Sequence, residues 1–167
     1  MRHILNSAGI ERFPEAQFDM VRIGIGLHGF SAVDSSKVRQ TATLRSVILQ
    51  IKTISAGDSV GYNRNFIATK KMRIGIVPIG YADGLHRMLG NGAGSFMVNG
   101  HHAPLVGNIS MDMCAIDLTD IDATESDKVI IFGEDRPLEE IARQMQTIPY
   151  EMLTRVASRV KRIYFQE

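Results

Sequence analysis

A single cysteine, Cys114, stands in the whole chain, so no disulfide can form within it, and a reducing, cytoplasmic setting is expected. No apolar run approaches the roughly 20 residues that span a bilayer, and no membrane partner is expected. The N-terminal "MRHILNSAGIERF" has no apolar core long enough for a signal peptide. An excess of one charge is missing too. Lysine and arginine total 19 against 18 for aspartate and glutamate, a net charge of +1 without a long basic cluster, which removes the electrostatic case for nucleic acid. There is no internal repeat and no low-complexity segment. What is present is a chain of 167 residues, 44% hydrophobic, enough for one domain with a real core or one domain plus part of another. Cys114 lies in "MDMCAIDL", where its neighbours alternate as in a strand, the setting of a buried core thiol rather than a nucleophile.

The opening segment has α/β character. "HILNSAGI" is a short apolar stretch ending in polar and small residues, and "RFPEAQFD" predicts a brief helix with Pro14 near its first turn. "MVRIGIGLHG" predicts a mostly apolar strand, as parallel strands covered on both faces require. Strand, helix, strand is one βαβ unit, which cannot form a domain alone. The chain is therefore expected to begin inside a larger α/β fold.

After "VDSSK" the pattern changes. "TATLRSVILQI" predicts one long strand with Val47, Leu49 and Ile51 on one face and Ile48, Gln50 and Lys52 on the other. Shorter strands are predicted in "FIAT", "MRIGIVPIG", "SFMVNG", "HAPLVG", "CAIDL" and "KVIIFG", separated by glycine, asparagine and proline. Asn99-Gly100 is a hairpin signal because both residues tolerate positive φ. Many short strands with turn residues at such spacing predict an antiparallel β-barrel or sandwich. In "DRPLEEIARQMQ", Leu138, Ile141, Ala142 and Met145 follow helical periodicity. Pro137 suits the first turn of that helix, and Glu139 and Glu140 suit its positive end. "PYEMLTRVAS" predicts a shorter helix and "RVKRIYF" a last strand.

"NSAGI" and "RIGIG" place small residues and backbone amides at the ends of two strands. In a (β/α)8 barrel such ends carry the active site, often with a phosphate site at the last two strands. On the local residues alone, close packing explains these glycines equally well. His101 and His102 follow the hairpin turn with no second cluster at metal spacing, so they read as surface residues and no metal site is expected. Asp83 and Asp112 invite comparison with the paired carboxylates of glycosidases, but turn-fixing is the better reading.

Taken in order, "NSAGI", "VRIGIGLHG", "VGYNRNF", "IGYADG", "NISMDM" and "IPYE" closely resemble the alanine racemase family. The resemblance covers essentially the whole chain and implies the C-terminal portion of that fold. Residues 1–38 would be the remnant of the C-terminal end of a (β/α)8 barrel that binds pyridoxal 5'-phosphate, and residues 39–167 the family's β domain. The fold class is thus mainly β: an antiparallel barrel or sandwich preceded by the last strands of a truncated barrel. The family interconverts L- and D-alanine for cell-wall synthesis and works as a homodimer. Its cofactor-binding lysine lies near the start of the barrel, and none of the lysines here falls in a matching motif. This chain without the missing N-terminal barrel is therefore expected to be inactive.

By the same resemblance Tyr62 is one of two catalytic bases, which reaches the active site of the opposite subunit. Racemisation removes a proton from one face of Cα and delivers one to the other, and the cofactor lysine serves the second face. An ordinary phenol ionises near pH 10, so such work near neutrality calls for nearby positive charge or hydrogen bonds. Arg22 matches the arginine at the cofactor's pyridine nitrogen, a permanent donor that favours the unprotonated ring and so a weaker electron sink. Ser7, the backbone amides of Gly24 and Ile25, and the Tyr150 hydroxyl match the phosphate site, with Asn6 fixing the Ser7 loop. A dianion needs several donors, and amides supply them without side-chain entropy. Tyr81 and Met111 match positions lining the substrate entrance and carboxylate pocket.

Asn63 stands where the family often has glycine, and asparagine tolerates the positive φ that the bend needs. Met152 and Leu153 replace a common Val-Pro, and Ser158 and Lys161 replace a common tyrosine and proline, which leaves the backbone of the last segment open. Two alternatives accompany this reading. One is a cofactor-free β module for binding or assembly in a multidomain cell-wall protein. The other is an amino-acid decarboxylase, which usually carries a Cys-Asp motif in its β domain, whereas Cys114 here precedes alanine.

Overall fold

The computed structural model describes residues 1–165. The chain forms two compact units, Met1–Thr43 and Leu44–Glu167. In the first, helix α1 (Ser7–Arg12) starts at Asn6, whose Oδ1 accepts the amide of Gly9 at 3.0 Å and so satisfies one of the orphan donors of the first turn. A 3₁₀ turn at Pro14–Ala16 takes the place of the brief predicted helix. Two extended stretches run parallel, with the Asp19 amide donating to the Arg2 carbonyl at 3.2 Å and the Arg22 amide to Leu5 at 3.0 Å.

The strand predicted over "MVRIGIGLHG" does not form. Beyond Arg22 the amides that a ladder would use turn toward Ser7, the backbone bends at Gly24 (φ −124°, ψ −97°), and Ile25–His28 closes a 3₁₀ turn. Gly29 ends it at φ 77°, where a Cβ would lie 1.8 Å from the Arg39 carbonyl oxygen; only glycine fits.

Among the described residues the second unit carries all the strands: β1 (Leu44–Val47), β2 (Gln50–Ile54), β3 (Ser59–Val60), β4 (Phe66–Ile67), β5 (Met72–Val77), β6 (Ser95–Val98), β7 (His101–Val106), β8 (Cys114–Asp117) and β9 (Lys128–Phe132). Seven of them form one sheet in the order β1-β9-β6-β7-β8-β5-β2, and β3 pairs with β4 separately. Each pairing is antiparallel.

The long strand predicted over "TATLRSVILQI" is in fact β1 and β2, at opposite edges of this sheet. The Ile48 amide donates to the Asp127 carbonyl at 2.9 Å, beside one edge, and the next amide, of Leu49, donates to Ile76 at 2.8 Å, beside the other. Consecutive residues reach both edges only if the sheet curls round on itself. β7 makes a second corner: His101–Pro104 pairs with β6 and Leu105–Val106 with β8. The antiparallel, barrel-like architecture expected from the sequence is present, but the predicted faces fail at the corner. Ile48 is buried while Val47 and Leu49 are exposed, because a chain that crosses from one edge of the curled sheet to the other also changes which side faces the core.

Phe96, Leu105, Ile116, Leu118 and Ile131 fill the interior, each worth roughly 1.5–3 kcal/mol on burial. Helix α2 (Leu138–Gln144) lays Leu138, Ile141 and Ala142 on the core as predicted, and Met145 just beyond it is buried too. Pro137 sits at the cap rather than within the first turn. Asn99 and Gly100, at φ 48° and 80°, close the expected hairpin between Val98 and His101. Helix α3 (Pro149–Arg155) follows the predicted segment. The last predicted strand, "RVKRIYF", is absent: the Arg162 guanidinium donates to the carbonyls of Val156, Ala157 and Val160 and folds the segment back on itself. Among the described residues no helix is long and apolar enough to cross a membrane.

Candidate active site

In the first unit the sequence candidates Ser7 and Gly24 come together. The buried Ser7 Oγ accepts the amide of Gly24 at 2.8 Å and that of Gly26 at 3.3 Å. Asn6, by capping α1, holds Ser7 at the first position of the helix. Ile25 lies between the two glycines at the start of the 3₁₀ turn. Gly26 was not singled out by sequence; the tightly spaced "GIG" was its only signal. Arg22 is exposed, and its Nη2 donates to the Ile4 carbonyl at 2.9 Å.

In the second unit Tyr62 opens a 3₁₀ turn, Tyr62–Arg64, that follows Gly61 at φ 81°. Asn63 and Arg64 both take left-handed backbone, at φ 61° and 51°, a strain of the order of 1 kcal/mol or more for residues other than glycine. Asn63 thus does what its tolerance of positive φ led us to expect. The Tyr62 side chain is 73% exposed.

Tyr81 and Met111 sit on two loops held in register by backbone bonds. Tyr81 donates to the Ser110 carbonyl at 3.1 Å and Ala82 to Met111 at 3.0 Å. A Cβ on Gly80 would lie 2.3 Å from the Met111 oxygen, so a glycine is required there for this approach. Asp83 accepts the Gly80 amide at 2.8 Å, which is the turn-fixing role read from sequence. Asp83 and Asp112 also share one cation. Arg159 donates through Nε to Asp83 and through a terminal nitrogen to Asp112, each at 2.7 Å, and these hydrogen bonds raise the Arg159 pKa. The Arg87 guanidinium lies 5.9 Å from the centre of the Tyr81 ring. Tyr81 and Met111 remain partly exposed.

Tyr150 lies in the first turn of α3. The Thr147 hydroxyl donates to Glu151, which holds its carboxyl below the ordinary value, and Arg155 beside it acts in the same direction. That contact ties down the start of the helix. Cys114 is buried, and desolvation pushes its thiol up to about 12, which removes it as a nucleophile. Among the described residues no group of three or more His, Cys, Asp or Glu side chains is placed to hold a metal ion.

One loop touches both exposed tyrosine turns. Asn108 Nδ2 donates to the Tyr62 carbonyl at 3.2 Å, and Ser110 and Met111 receive the amides of the Tyr81 turn. Neither Asn108 nor Arg159 was visible as a site residue in the sequence, because their partners lie 46, 47 and 76 residues away.

The family profile "Alanine racemase, C-terminal domain" matches residues 41–164. The chain belongs to the alanine racemase C-terminal domain family. Alanine racemase of Nitrosomonas eutropha is 42% identical over 166 residues, covering 96% of this chain and 46% of that protein. Alanine racemase of Aeromonas hydrophila is 39% identical over 166 residues, covering 95% and 46%. Among solved structures, alanine racemase of Bartonella henselae with covalently bound pyridoxal phosphate aligns at TM-score 0.90 and 37% identity, over 98% of this chain and 46% of that one. The Bacillus anthracis alanine racemase with bound L-Ala-P aligns at 0.91 and 32% identity, over 98% and 44%. The chain thus spans less than half the length of these alanine racemases.

Proposed function

We propose that this chain forms the C-terminal part of a pyridoxal phosphate-dependent alanine racemase that interconverts L- and D-alanine. The observation that carries the reading is the Tyr62 turn: a phenol 73% exposed, on a left-handed, strained backbone of the kind that clusters at working sites, in a chain of this family. The Ser7 corner supports a phosphate site in kind: the amides of Gly24 and Gly26 both donate to the Ser7 Oγ, which gathers in one place a hydroxyl and backbone amides, the donor types that suit a dianion.

Pyridoxal phosphate, when bound, supplies an electron sink that acidifies the Cα hydrogen of alanine. Ser7, Gly24 and Ile25 would bind its phosphate, with Asn6 holding the helix start that presents Ser7, and the Tyr150 hydroxyl would add a further donor, as the family resemblance implies. Arg22, permanently charged, would supply a donor to the ring nitrogen and disfavour a proton there, which would restrain the sink to simple racemisation. Tyr62 takes a proton from, or returns one to, a single face of Cα through its Oη. A lysine from the part of the enzyme beyond the matched region serves the opposite face. Tyr81 and Met111 shape the substrate entrance and the place of the carboxylate. Tyr62 acts in the site of a second copy, so a homodimer is the working form.

In the complete enzyme, Tyr62→Phe removes one hydroxyl and leaves the fold intact. Racemisation is expected to fall about 10²–10⁴-fold in both directions, since each needs both bases. Exchange of the Cα hydrogen with deuterated solvent should persist for one enantiomer and nearly vanish for the other. Equal retention of exchange from both enantiomers would remove Tyr62 from the chemistry.

A further inference from the structure

The Tyr62 turn is held from outside by a relay of two asparagines, and we infer that Asn108 and Asn91 are positioning residues for Tyr62. This rests on the reading of Tyr62 as a proton-transferring base. Asn108 Nδ2 donates to the Tyr62 carbonyl at 3.2 Å, and its Oδ1 accepts from Asn91 Nδ2 at 2.9 Å. Both ends of the Asn108 amide are therefore engaged, which fixes its orientation. Asn91 is anchored in turn: its own amide donates to the Gly107 carbonyl at 2.9 Å, and its backbone is left-handed at φ 55°.

The two backbones also touch directly. A Cβ on Gly61 would lie 3.2 Å from the Asn108 nitrogen, and one on Gly107 would lie 2.6 Å from the Val60 oxygen. Movement of residues 107–108 is transmitted to residues 60–62 with little slack. Within its own chain the Tyr62 ring is largely exposed, so on that side its backbone, rather than packing round the ring, sets where the hydroxyl points. That backbone contains the left-handed pair Asn63 and Arg64, a conformation that persists only where surrounding structure over-determines it. Asn108 supplies that constraint. The same loop carries Met111 three residues on, so the place of the base and the place proposed for the substrate carboxylate are set together.

The test uses the complete enzyme with Asn108→Ala, Asn108→Asp and Asn91→Ala. Asn108→Asp keeps the acceptor for Asn91 and loses the donor to Tyr62, so it should behave like Asn108→Ala. Both should lower kcat about tenfold to a hundredfold, as small misplacements of reacting groups do, with KM changed less than about twofold. Solvent exchange should slow only for the enantiomer whose exchange Tyr62→Phe abolishes. Without cofactor, trypsin should cut faster after Arg64 in these variants, because a loosened turn opens locally. Asn91→Ala should give a smaller loss of the same kind, and should add nothing in the Asn108→Ala background; it carries the test alone if the Asn108 variants do not fold. Equal slowing for both enantiomers, unchanged kcat, or full additivity of the two asparagines would overturn the inference. Should Tyr62→Phe itself slow neither exchange, the base reading falls first, and the two failures are distinguishable.

Discussion

At Tyr62 the decisive residues are its neighbours. Gly61 supplies φ 81° before it and Asn63 and Arg64 supply left-handed backbone after it, so the chain doubles back where a strand would otherwise continue. The unusual setting of a tyrosine between glycine and asparagine was legible in the sequence; the hydrogen bond from Asn108 was not, because nothing local encodes a partner 46 residues away. Cys114 was legible in full, since alternation with apolar neighbours predicts burial and burial raises the thiol. Its pKa near 12 leads to a prediction. In the native protein at pH 8 a thiol-specific reagent should label Cys114 roughly a thousandfold more slowly than in denaturant. Labelling at the unfolded rate would show that the strand carrying it opens readily.

Two ties join separate elements of the second unit. Arg159 joins Asp83 and Asp112, each at 2.7 Å, and so latches the Tyr81 turn to the Met111 loop from a segment that sequence periodicity assigned to a strand. Asp127 links the β6–β7 hairpin to the loop before β9. Its Oδ2 accepts the Thr124 amide at 2.8 Å and Asn99 Nδ2 at 3.0 Å, and these bonds, the Thr124 amide first, lower its pKa. A carboxyl whose folded pKa lies below its unfolded one contributes stability above the unfolded value and loses it as pH falls through the folded value. Asp127→Ala is therefore expected to lower Tm at pH 7, with the gap to the unaltered protein closing as pH drops below about 4. A gap that stays constant down to pH 2 would mean that the Asp127 charge is not what holds the hairpin. Asn99-Gly100 announced its turn, whereas the bond from the Asn99 side chain to Asp127 depends on β9 returning beside β6.

At the scale of the molecule, the curled sheet turns on two corners, Ile48–Leu49 and the middle of β7. The proposed sharing of active sites between copies belongs to this scale too. Mixing the Tyr62→Phe enzyme with a variant lacking the cofactor lysine should restore part of the activity once subunits exchange, because mixed dimers then contain one site with both bases. No recovery after verified exchange would place Tyr62 in its own copy's site. The family match over residues 41–164 and the alignment with alanine racemase structures at TM-scores of 0.90 and 0.91 establish the family and the fold in which that proposal is made.

The positions of β5, β6, β7, β8 and β9, the Asn99-Gly100 hairpin and the buried face of α2 were determined by the sequence itself, because short apolar runs bounded by turn residues, positive-φ turn residues and helical spacing are properties of neighbouring residues. The order of motifs carried the family likewise. Tertiary structure alone decided that "TATLRSVILQI" breaks into two strands at opposite sheet edges, and that "RIGIG" bends toward Ser7 instead of extending. Arg162 folds the last segment back on itself through carbonyls two, five and six residues away, a local side-chain choice that strand periodicity does not register. In those two tertiary cases hydrogen-bond partners distant in sequence competed with local preference for the same backbone groups and won, since a buried amide or carbonyl must be paired wherever a partner stands.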